Sequence, residues 1–248
     1  MKKIFRIIPL FLFLIFPANC FSQSTDFKKD TIKTSQGDLE IICIGHGTVM
    51  FTFDGKVIHV DPWTMTSFDY KNTSKADIIL VTHEHGDHLD KKAIDALKKD
   101  GTEIIATELC VKQLGEGTVM KNGDMKTVLG LMIEAVPAYN IVHMRDGKNP
   151  FHPKGIGNGY VITFGDKKVY VAGDTENTPE MKALKEIDIA FLPMNLPYTM
   201  TPEMVADAAK AFRPAIIYPY HYGNTDTSKL EALLKDEEDI VVRIRGMQ

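Results

Sequence analysis

Between residues 38 and 81 the chain consists mostly of short apolar segments separated by turn residues. Apolar or alternating segments at 38–44, 49–53 and 56–60, with the turn Asp54-Gly55 between the last two, predict a meander of antiparallel strands. A continuous apolar run at 76–81 predicts a buried strand. Helical spacing follows at 91–99, where apolar residues fall on one face and lysines on the other.

The rest of the chain alternates predicted strands with predicted helices. Strands are expected at 103–106, 124–128, 131–136, 159–164, 168–172, 187–192, 215–219 and 240–244. Helices are expected at 107–114, 179–184, 201–212 and 228–235. Two sheets packed face to face with helices outside would bury all these strands, which predicts an α/β protein. No linker-like or repeated segment divides 23–248, so we expect one domain there.

The first 22 residues have the pattern of a signal peptide. A basic start precedes an apolar run at 7–16, which is too short to cross a membrane as a helix. Cleavage after Ser22 is the preferred interpretation, and lipidation of Cys20 is the alternative. Both predict an exported protein, periplasmic or secreted. Cleavage after Ser22 implies no stable membrane insertion after signal removal, whereas lipidation of Cys20 would anchor the protein.

The composition argues against a nucleic-acid-binding protein and does not indicate a function. The net charge is −4, and hydrophobic (44%) and charged (25%) residues occur at ordinary globular levels. No basic run suggests nucleic-acid binding, so we expect a small-molecule substrate and no nucleic-acid partner. The sequence leaves the oligomeric state open.

The segment 82–88, Thr-His-Glu-His-Gly-Asp-His, follows the buried-type strand directly. Imidazole and carboxylate ligands together suit zinc, manganese or iron. In an extended loop His83 and His85 point to one side, because side chains alternate with period two. Asp87 and His88 then turn toward a second position, so one loop could serve two adjacent cations.

Other ligand-type residues also lie beside predicted strands. Asp174 follows the strand at 168–172, His221 follows that at 215–219, and His152 precedes that at 159–164. Two cations at about 3.5–4 Å need a bridging anion and further ligands. Asp174 is the candidate bridge.

In order and spacing these motifs resemble the metallo-β-lactamase superfamily: H-x-H-x-D-H, a histidine, Gly-Asp after a strand, and a final histidine. The turn at 45–48 and the pair Asp61-Pro62 are further similar to the branch that holds ascorbate-6-phosphate lactonase and N-acylphosphatidylethanolamine phospholipase D. The resemblance implies the four-layer αβ/βα sandwich, with two mixed β-sheets flanked by helices. It also implies two divalent cations, zinc first, with manganese or iron as alternatives.

The resemblance implies a ligand set as well. It assigns His83, His85 and His152 to the first metal, Asp87, His88 and His221 to the second, and Asp174 to both. The family's third motif often follows its strand directly, but here Pro137-Ala138-Tyr139-Asn140 holds no histidine. His143 and His152 are the candidates, and we prefer His152 for its spacing to Asp174.

Several neighbours could support the site. Asp61 is a candidate acceptor for a ligating histidine, His46 could line the pocket or cap a strand, and His59 is expected to be structural. Candidate wall residues, for which loop packing is an equal explanation, are Tyr198, Met200 and Tyr222. Cys43 and Cys110 are not assigned as ligands, and a disulfide between them stays open.

The resulting hypothesis is a metal-dependent hydrolase that uses a metal-bound hydroxide on an ester, lactone or phosphodiester. Asp87 would orient the nucleophile or shuttle its proton. Asp87-His88 replaces the cysteine common in enzymes that cleave β-lactams, which makes a β-lactam a minor option. The alternatives are a single-iron oxidoreductase on the same scaffold and a non-catalytic metal-binding protein of the envelope.

Overall fold

The computed structural model describes residues 27–248. The signal-peptide prediction for 1–22, Cys20 included, lies outside this range and stays a prediction. Among the described residues, none of the helices combines the length and apolar character that a membrane crossing requires.

The first sheet contains seven strands in sequence order. Its strands are β1 (Lys29–Thr34), β2 (Gly37–Gly45), β3 (Thr48–Phe53), β4 (Lys56–Val60), β5 (Ile78–Val81), β6 (Glu103–Ala106) and β7 (Thr118–Val119). The pairs from β1 to β4 are antiparallel and those from β4 to β7 are parallel. The sheet is therefore mixed, as predicted.

The second sheet repeats this plan with seven strands in the order β14-β13-β12-β11-β10-β9-β8. Its strands are β8 (Met125–Val128), β9 (Leu131–Ala138), β10 (Gly157–Phe164), β11 (Lys167–Val171), β12 (Ile189–Pro193), β13 (Ile216–Tyr220) and β14 (Val241–Val242). The pairs from β8 to β11 are antiparallel, and those from β11 to β14 are parallel.

Within residues 27–248, five short helices join the strands. They are α1 (Lys91–Leu97), α2 (Glu108–Leu114), α3 (Pro179–Lys182), α4 (Pro202–Phe212) and α5 (Ser228–Leu234). The first four begin after an N-cap side chain that accepts hydrogen bonds from backbone N–H groups of the first turn. The predicted N-cap of α4, Thr201, is one of them.

The main core lies between the two sheets. Phe51 of β3 packs on Phe164 of β10 and Phe191 of β12, with ring centroids 5.4 and 6.0 Å apart. A smaller apolar cluster joins β5 and β6 to α1 and α2 on the outer face of the first sheet. The predicted α/β sandwich of two mixed sheets flanked by helices is confirmed.

The parallel half of each sheet determines where the polar loops meet. Parallel strands all end at one edge of their sheet, and ligand sites collect there in open α/β sheets. β4, β5, β11, β12 and β13 end just before Asp61, His83, Asp174, Asn195 and His221, respectively. Residues far apart in sequence are thereby brought to one end of the sandwich.

Candidate metal centre

Four potential ligands form a first group at this end of the sandwich: His83, His85, His152 and Asp174. His85 Nδ1 lies 3.1 Å from His83 Nε2 and 3.3 Å from His152 Nε2. His152 Nε2 is also 3.3 Å from Asp174 Oδ2. Ligand atoms around a tetrahedral cation with bonds of about 2.0–2.1 Å are about 3.3 Å apart. The donor set and its spacing therefore fit a cation such as zinc.

A second group adjoins the first and contains His88, His221 and again Asp174. Asp174 Oδ1 lies 3.5 Å from His88 Nε2 and 4.0 Å from His221 Nδ1. Asp87 Oδ2 is 3.3 Å from His221 Nε2 and 3.8 Å from His88 Nε2. All seven sequence-predicted ligands are thus brought together, and Asp174 faces one group with each carboxylate oxygen.

Two atoms of these groups are buried without a hydrogen-bond partner, namely His88 Nε2 and Asp174 Oδ1. A buried polar atom without a partner is costly, and such an atom needs an explanation such as an ion. Because the two atoms face each other across 3.5 Å, a cation bound by both would satisfy them. This observation independently supports the fit of the residues to a metal.

The electrostatics without a cation agree with that interpretation. Burial would lower the pKa of His88, but the carboxylates of Asp174 and Asp61 outweigh burial and raise that pKa to about 9. Burial would raise the pKa of Asp174, but His221 and His88 hold it well below its usual range. The carboxylates therefore attract positive charge to this spot, and metal ions compete with protons for such ligands.

Buried acceptors orient the ligands. Asp61, which is fully buried, accepts a hydrogen bond from His88 Nδ1 at 2.7 Å, as the sequence suggested. Asp61 also accepts from Thr82 Oγ1 at 2.6 Å, and that hydroxyl oxygen lies 3.0 Å from His83 Nδ1. A carboxylate on the far ring nitrogen directs the near nitrogen of a histidine toward a metal.

The choice between His143 and His152 has a structural basis. Asn140 Oδ1 accepts hydrogen bonds from both the backbone N–H and the Nδ1 of His152, at 2.8 and 2.7 Å. Nε2 of His152 is then left to face the first group. His143 instead lies with its Nδ1 2.7 Å from Glu176 Oε1, and it is in none of the ligand groups found among residues 27–248.

His46 lies at the second group. Its ring centroid is 3.9 Å from that of His221, and its Nε2 is 3.0 Å from Asp87 Oδ2. Its φ of 52° is left-handed, and its carbonyl accepts from the His221 N–H at 3.0 Å. His46 therefore packs against the second group, and it is not among the residues that line the cavity over the site.

The remaining candidates divide between the site and the core. His59 is buried without a hydrogen-bond partner, and burial lowers its pKa to about 3, in line with a structural role. Met200 and Tyr222 belong to the main apolar core, whereas Tyr198 is exposed and faces the site.

Cys43 and Cys110 are free and buried, so the disulfide left open by the sequence does not form here. Burial raises the pKa of each thiol to about 12.

A cavity of about 340 Å³ opens over both groups. Besides Tyr198 and the candidate ligands, its walls contain three residues that sequence reasoning missed, namely Arg145, Phe151 and Asn195. Asn195 Nδ2 lies 3.3 Å from His221 Nδ1. Asn195 could have been found, because it follows a predicted strand as Asp174 and His221 do, whereas the loop residues Arg145 and Phe151 carry no such signal.

Known families show a match over most of the described chain. The beta-lactamase superfamily domain matches residues 40–221. A UPF0173 metal-dependent hydrolase of Thermococcus onnurineus is 34% identical over 184 residues, 68% of this chain and 79% of that protein. Another, from Thermus thermophilus, is 33% identical over 195 residues, 74% of this chain and 84% of that protein.

Two solved structures of similar proteins share this fold. The crystal structure of a candidate metal-dependent hydrolase from Parabacteroides distasonis has a TM-score of 0.85 and 54% identity, covering 90% of this chain and all (100%) of that one. Igni18, a metallo hydrolase of Ignicoccus hospitalis, has a TM-score of 0.70 and 24% identity, over 84% of this chain and 95% of that one. At that identity the second likeness shows the fold alone.

Proposed function

This chain belongs to the beta-lactamase superfamily and is a metal-dependent hydrolase, and we propose that it binds two divalent cations, zinc first, and cleaves a small ester, lactone or phosphodiester. The observation that carries the proposal is the position of Asp174. Its two carboxylate oxygens face different histidine groups, at 3.3 Å from His152 and 3.5 Å from His88. A carboxylate in this position could bridge two cations at the spacing of about 3.5–4 Å that is typical of two-metal sites.

The proposed ligands are those expected from the sequence. The first cation would be held by His83, His85 and His152, the second by Asp87, His88 and His221, and both by Asp174. When bound, the cations supply a nucleophilic hydroxide at neutral pH and polarise the oxygen of the scissile group. Neither Cys43 nor Cys110 is in a ligand group among the described residues, which again disfavours a β-lactam.

The protein's own residues then provide orientation and proton transfer. Asn140 orients the ring of His152, and Asp61 orients the ring of His88. Each accepts a hydrogen bond from the Nδ1 of its histidine. Asp87 lines the cavity, its side chain is 33% exposed, and its Oδ2 lies 3.0 Å from His46 Nε2. We assign to Asp87 the transfer of a proton between the attacking water and the leaving group, which would be a general acid–base role.

The size of the cavity supports a small substrate. About 340 Å³ is at the lower end of the range of about 300–1,000 Å³ that is typical of ligand pockets. A molecule of metabolite size fits this volume, whereas a folded macromolecule would have to present an extended segment.

The direct test compares metal content and activity in the same preparations. Wild-type protein reconstituted with zinc should hold two ions per chain by mass spectrometry and hydrolyse members of a panel of esters, lactones and phosphodiesters. Asp174→Ala should lose at least one ion and nearly all activity. Asp100→Asn is the control, because Asp100 is exposed and far in sequence from the proposed ligands.

Two results would overturn the proposal. One is hydrolysis at the wild-type rate by metal-free Asp174→Ala. The other is a fully loaded wild-type protein that cleaves no member of the panel. A single iron per chain together with oxygen consumption would favour the oxidoreductase alternative instead.

A further inference from the structure

The loop between β9 and β10, residues 139–156, forms one wall of the cavity over the ligand groups. The buried carboxylate of Glu176 accepts hydrogen bonds from the backbone N–H groups of residues 141–143, at 2.6, 2.6 and 2.7 Å. A backbone bridge between Met144 and Pro150 closes the loop, and Asp146 accepts from the N–H groups of residues 148 and 149. The loop is therefore held in a defined shape over the site.

Arg145 lies on this loop, is exposed and lines the cavity, and no carboxylate of residues 27–248 pairs with it. Residues 27–248 contain three other arginines, and each of them pairs with an acidic side chain: Arg213 with Glu237, Arg243 with Asp30, and Arg245 with Asp30. The Arg145 guanidinium lies over the Phe151 ring, with its central carbon 5.8 Å from the ring centroid. Its hydrogen-bond donors remain available to a ligand.

An apolar surface lies beside this guanidinium. Phe151 packs edge to face on Tyr198, with ring centroids 5.0 Å apart, and both residues line the same cavity. Tyr198 is 45% exposed. The cavity thus has the candidate metal groups, an aromatic pair and a single unpaired cation on its walls.

From this arrangement we infer that Arg145 determines specificity and that the substrate carries a carboxylate, joined to the scissile group by a short apolar segment. This inference rests on the proposed function. A guanidinium binds a carboxylate through two parallel hydrogen bonds, which a lysine cannot reproduce. One guanidinium balances one negative charge, whereas a phosphate monoester carries about −1.5 to −2 at pH 7. The apolar segment lies against Phe151 and Tyr198.

The test uses a matched pair of substrates on the zinc-loaded enzyme. Mono(4-nitrophenyl) adipate and 4-nitrophenyl hexanoate share the scissile ester and the chain length and differ in the terminal carboxylate. Wild type should prefer the adipate ester by about tenfold or more in kcat/KM, mostly through KM, since a charged hydrogen-bonded pair is involved. Arg145→Ala should abolish the preference, and Arg145→Lys should retain part of it.

The control is Lys148→Ala, which removes a cation from the same loop. Lys148 is exposed and does not line the cavity, so its variant should keep the wild-type preference. A loss of preference in Lys148→Ala equal to that in Arg145→Ala would attribute the effect to general loop charge and overturn the inference. So would a wild-type enzyme that treats the two esters alike.

A binding measurement separates this inference from the proposed function. Isothermal titration measures the affinities for adipate and for hexanoate. Each acid offers one carboxylate to the metals, and only adipate has a second carboxylate that could bind Arg145. Wild type should bind adipate more tightly, and Arg145→Ala should bind the two acids equally. If the loaded enzyme hydrolyses neither ester, the proposed ester hydrolysis fails, and the titration alone still decides the role of Arg145.

Discussion

Asn140 ends the segment 137–140, which follows β9 and holds no histidine, and its contacts show how it supports a ligand from the loop that follows. Its side-chain oxygen accepts two hydrogen bonds from His152, and its amide nitrogen donates to Glu176 at 3.1 Å and to the Tyr198 carbonyl at 2.9 Å. One amide group thereby orients a candidate ligand that lies 12 residues further along the chain. The residue is a positioning group rather than a ligand.

We predict that Asn140→Ala weakens zinc binding by about 10–100-fold, because the His152 ring loses the acceptor that fixes its orientation. Competition with a chromophoric chelator measures the affinity, and the thermal midpoint monitors folding. Asn140→Asp keeps the acceptor oxygen but places a second carboxylate oxygen where the amide now donates to Glu176, so it should recover only part of the affinity.

Asn149→Ala is the control for this prediction. Asn149 lies in the same loop, and its side chain donates to Asp146 at 2.7 Å rather than to a candidate ligand. Equal zinc affinities for Asn140→Ala and wild type would rule out the positioning role.

At the scale of elements, the turn between β2 and β3 shapes the second ligand group. A Cβ on Gly47 would lie 2.9 Å from His88 Cε1 and 3.5 Å from His221 Cδ2. Only a glycine lets the turn approach these rings so closely. The predicted turn motif therefore packs against the site, and the ring of its residue His46 contacts the ring of His221.

Gly47→Ala should displace the His88 ring and lower the affinity for the second cation by about tenfold or more, as expected when a ligand is mispositioned. Sequential metal titration, followed by mass spectrometry of the loaded protein, would resolve the two binding steps. We expect the first step to change little.

The control for Gly47→Ala is a second glycine-to-alanine substitution, at Gly86 in the H-x-H-x-D-H loop. A Cβ on Gly86 would meet nothing within 4 Å, and the φ of Gly86 is not left-handed. Gly86→Ala should therefore bind both cations as wild type does, and an effect equal to that of Gly47→Ala would contradict the packing argument.

Most elements were predictable because their hydrophobic pattern is local. The run at 76–81 was expected as a strand and contains β5, and the helix expected at 201–212 corresponds to α4. β1 was missed because it alternates exposed and half-buried residues and has no buried face, so its pattern gives no signal. Its pairing with β2 supplies the hydrogen bonds that make it a strand.

At the scale of the whole molecule, the half-buried ion pair between Asp30 and Arg245 links the beginning of the described chain to its end. Asp30 in β1 accepts hydrogen bonds from Arg245 at 2.9 and 3.0 Å and from Tyr218 Oη at 2.6 Å. Burial would raise the pKa of Asp30, but hydrogen bonds from Arg245 and Tyr218 outweigh it and lower that pKa below 3.8. This contact joins the edge strand of the first sheet to the second sheet.

Asp30→Asn should reduce the free energy of unfolding at pH 7 by about 2 kcal/mol, because it removes hydrogen bonds to a charged group. The folded-state pKa of Asp30 is lowered, so its contribution is complete above the unfolded-state pKa and is lost as pH falls through the folded-state value. Urea unfolding at several pH values measures this.

The difference between wild type and Asp30→Asn should therefore shrink in acid, below the ordinary aspartate pKa of 3.8. A difference that is constant from neutral to strongly acidic pH would show that the charge of Asp30 is not what stabilises the contact. Asp38→Asn is the comparison, because the Asp38 carboxylate pairs with the exposed Lys33 at the surface.

The sequence by itself determined the fold class and the types and order of the candidate ligands, because strand periodicity and ligand-rich loops are local properties of the chain. Only the tertiary structure decided that His152 rather than His143 joins the first group, that Asp174 faces both groups, and that Arg145 stands unpaired over them. Each of these depends on contacts between segments distant in sequence, and a contact of that kind is made by the packing of two sheets rather than by any local pattern.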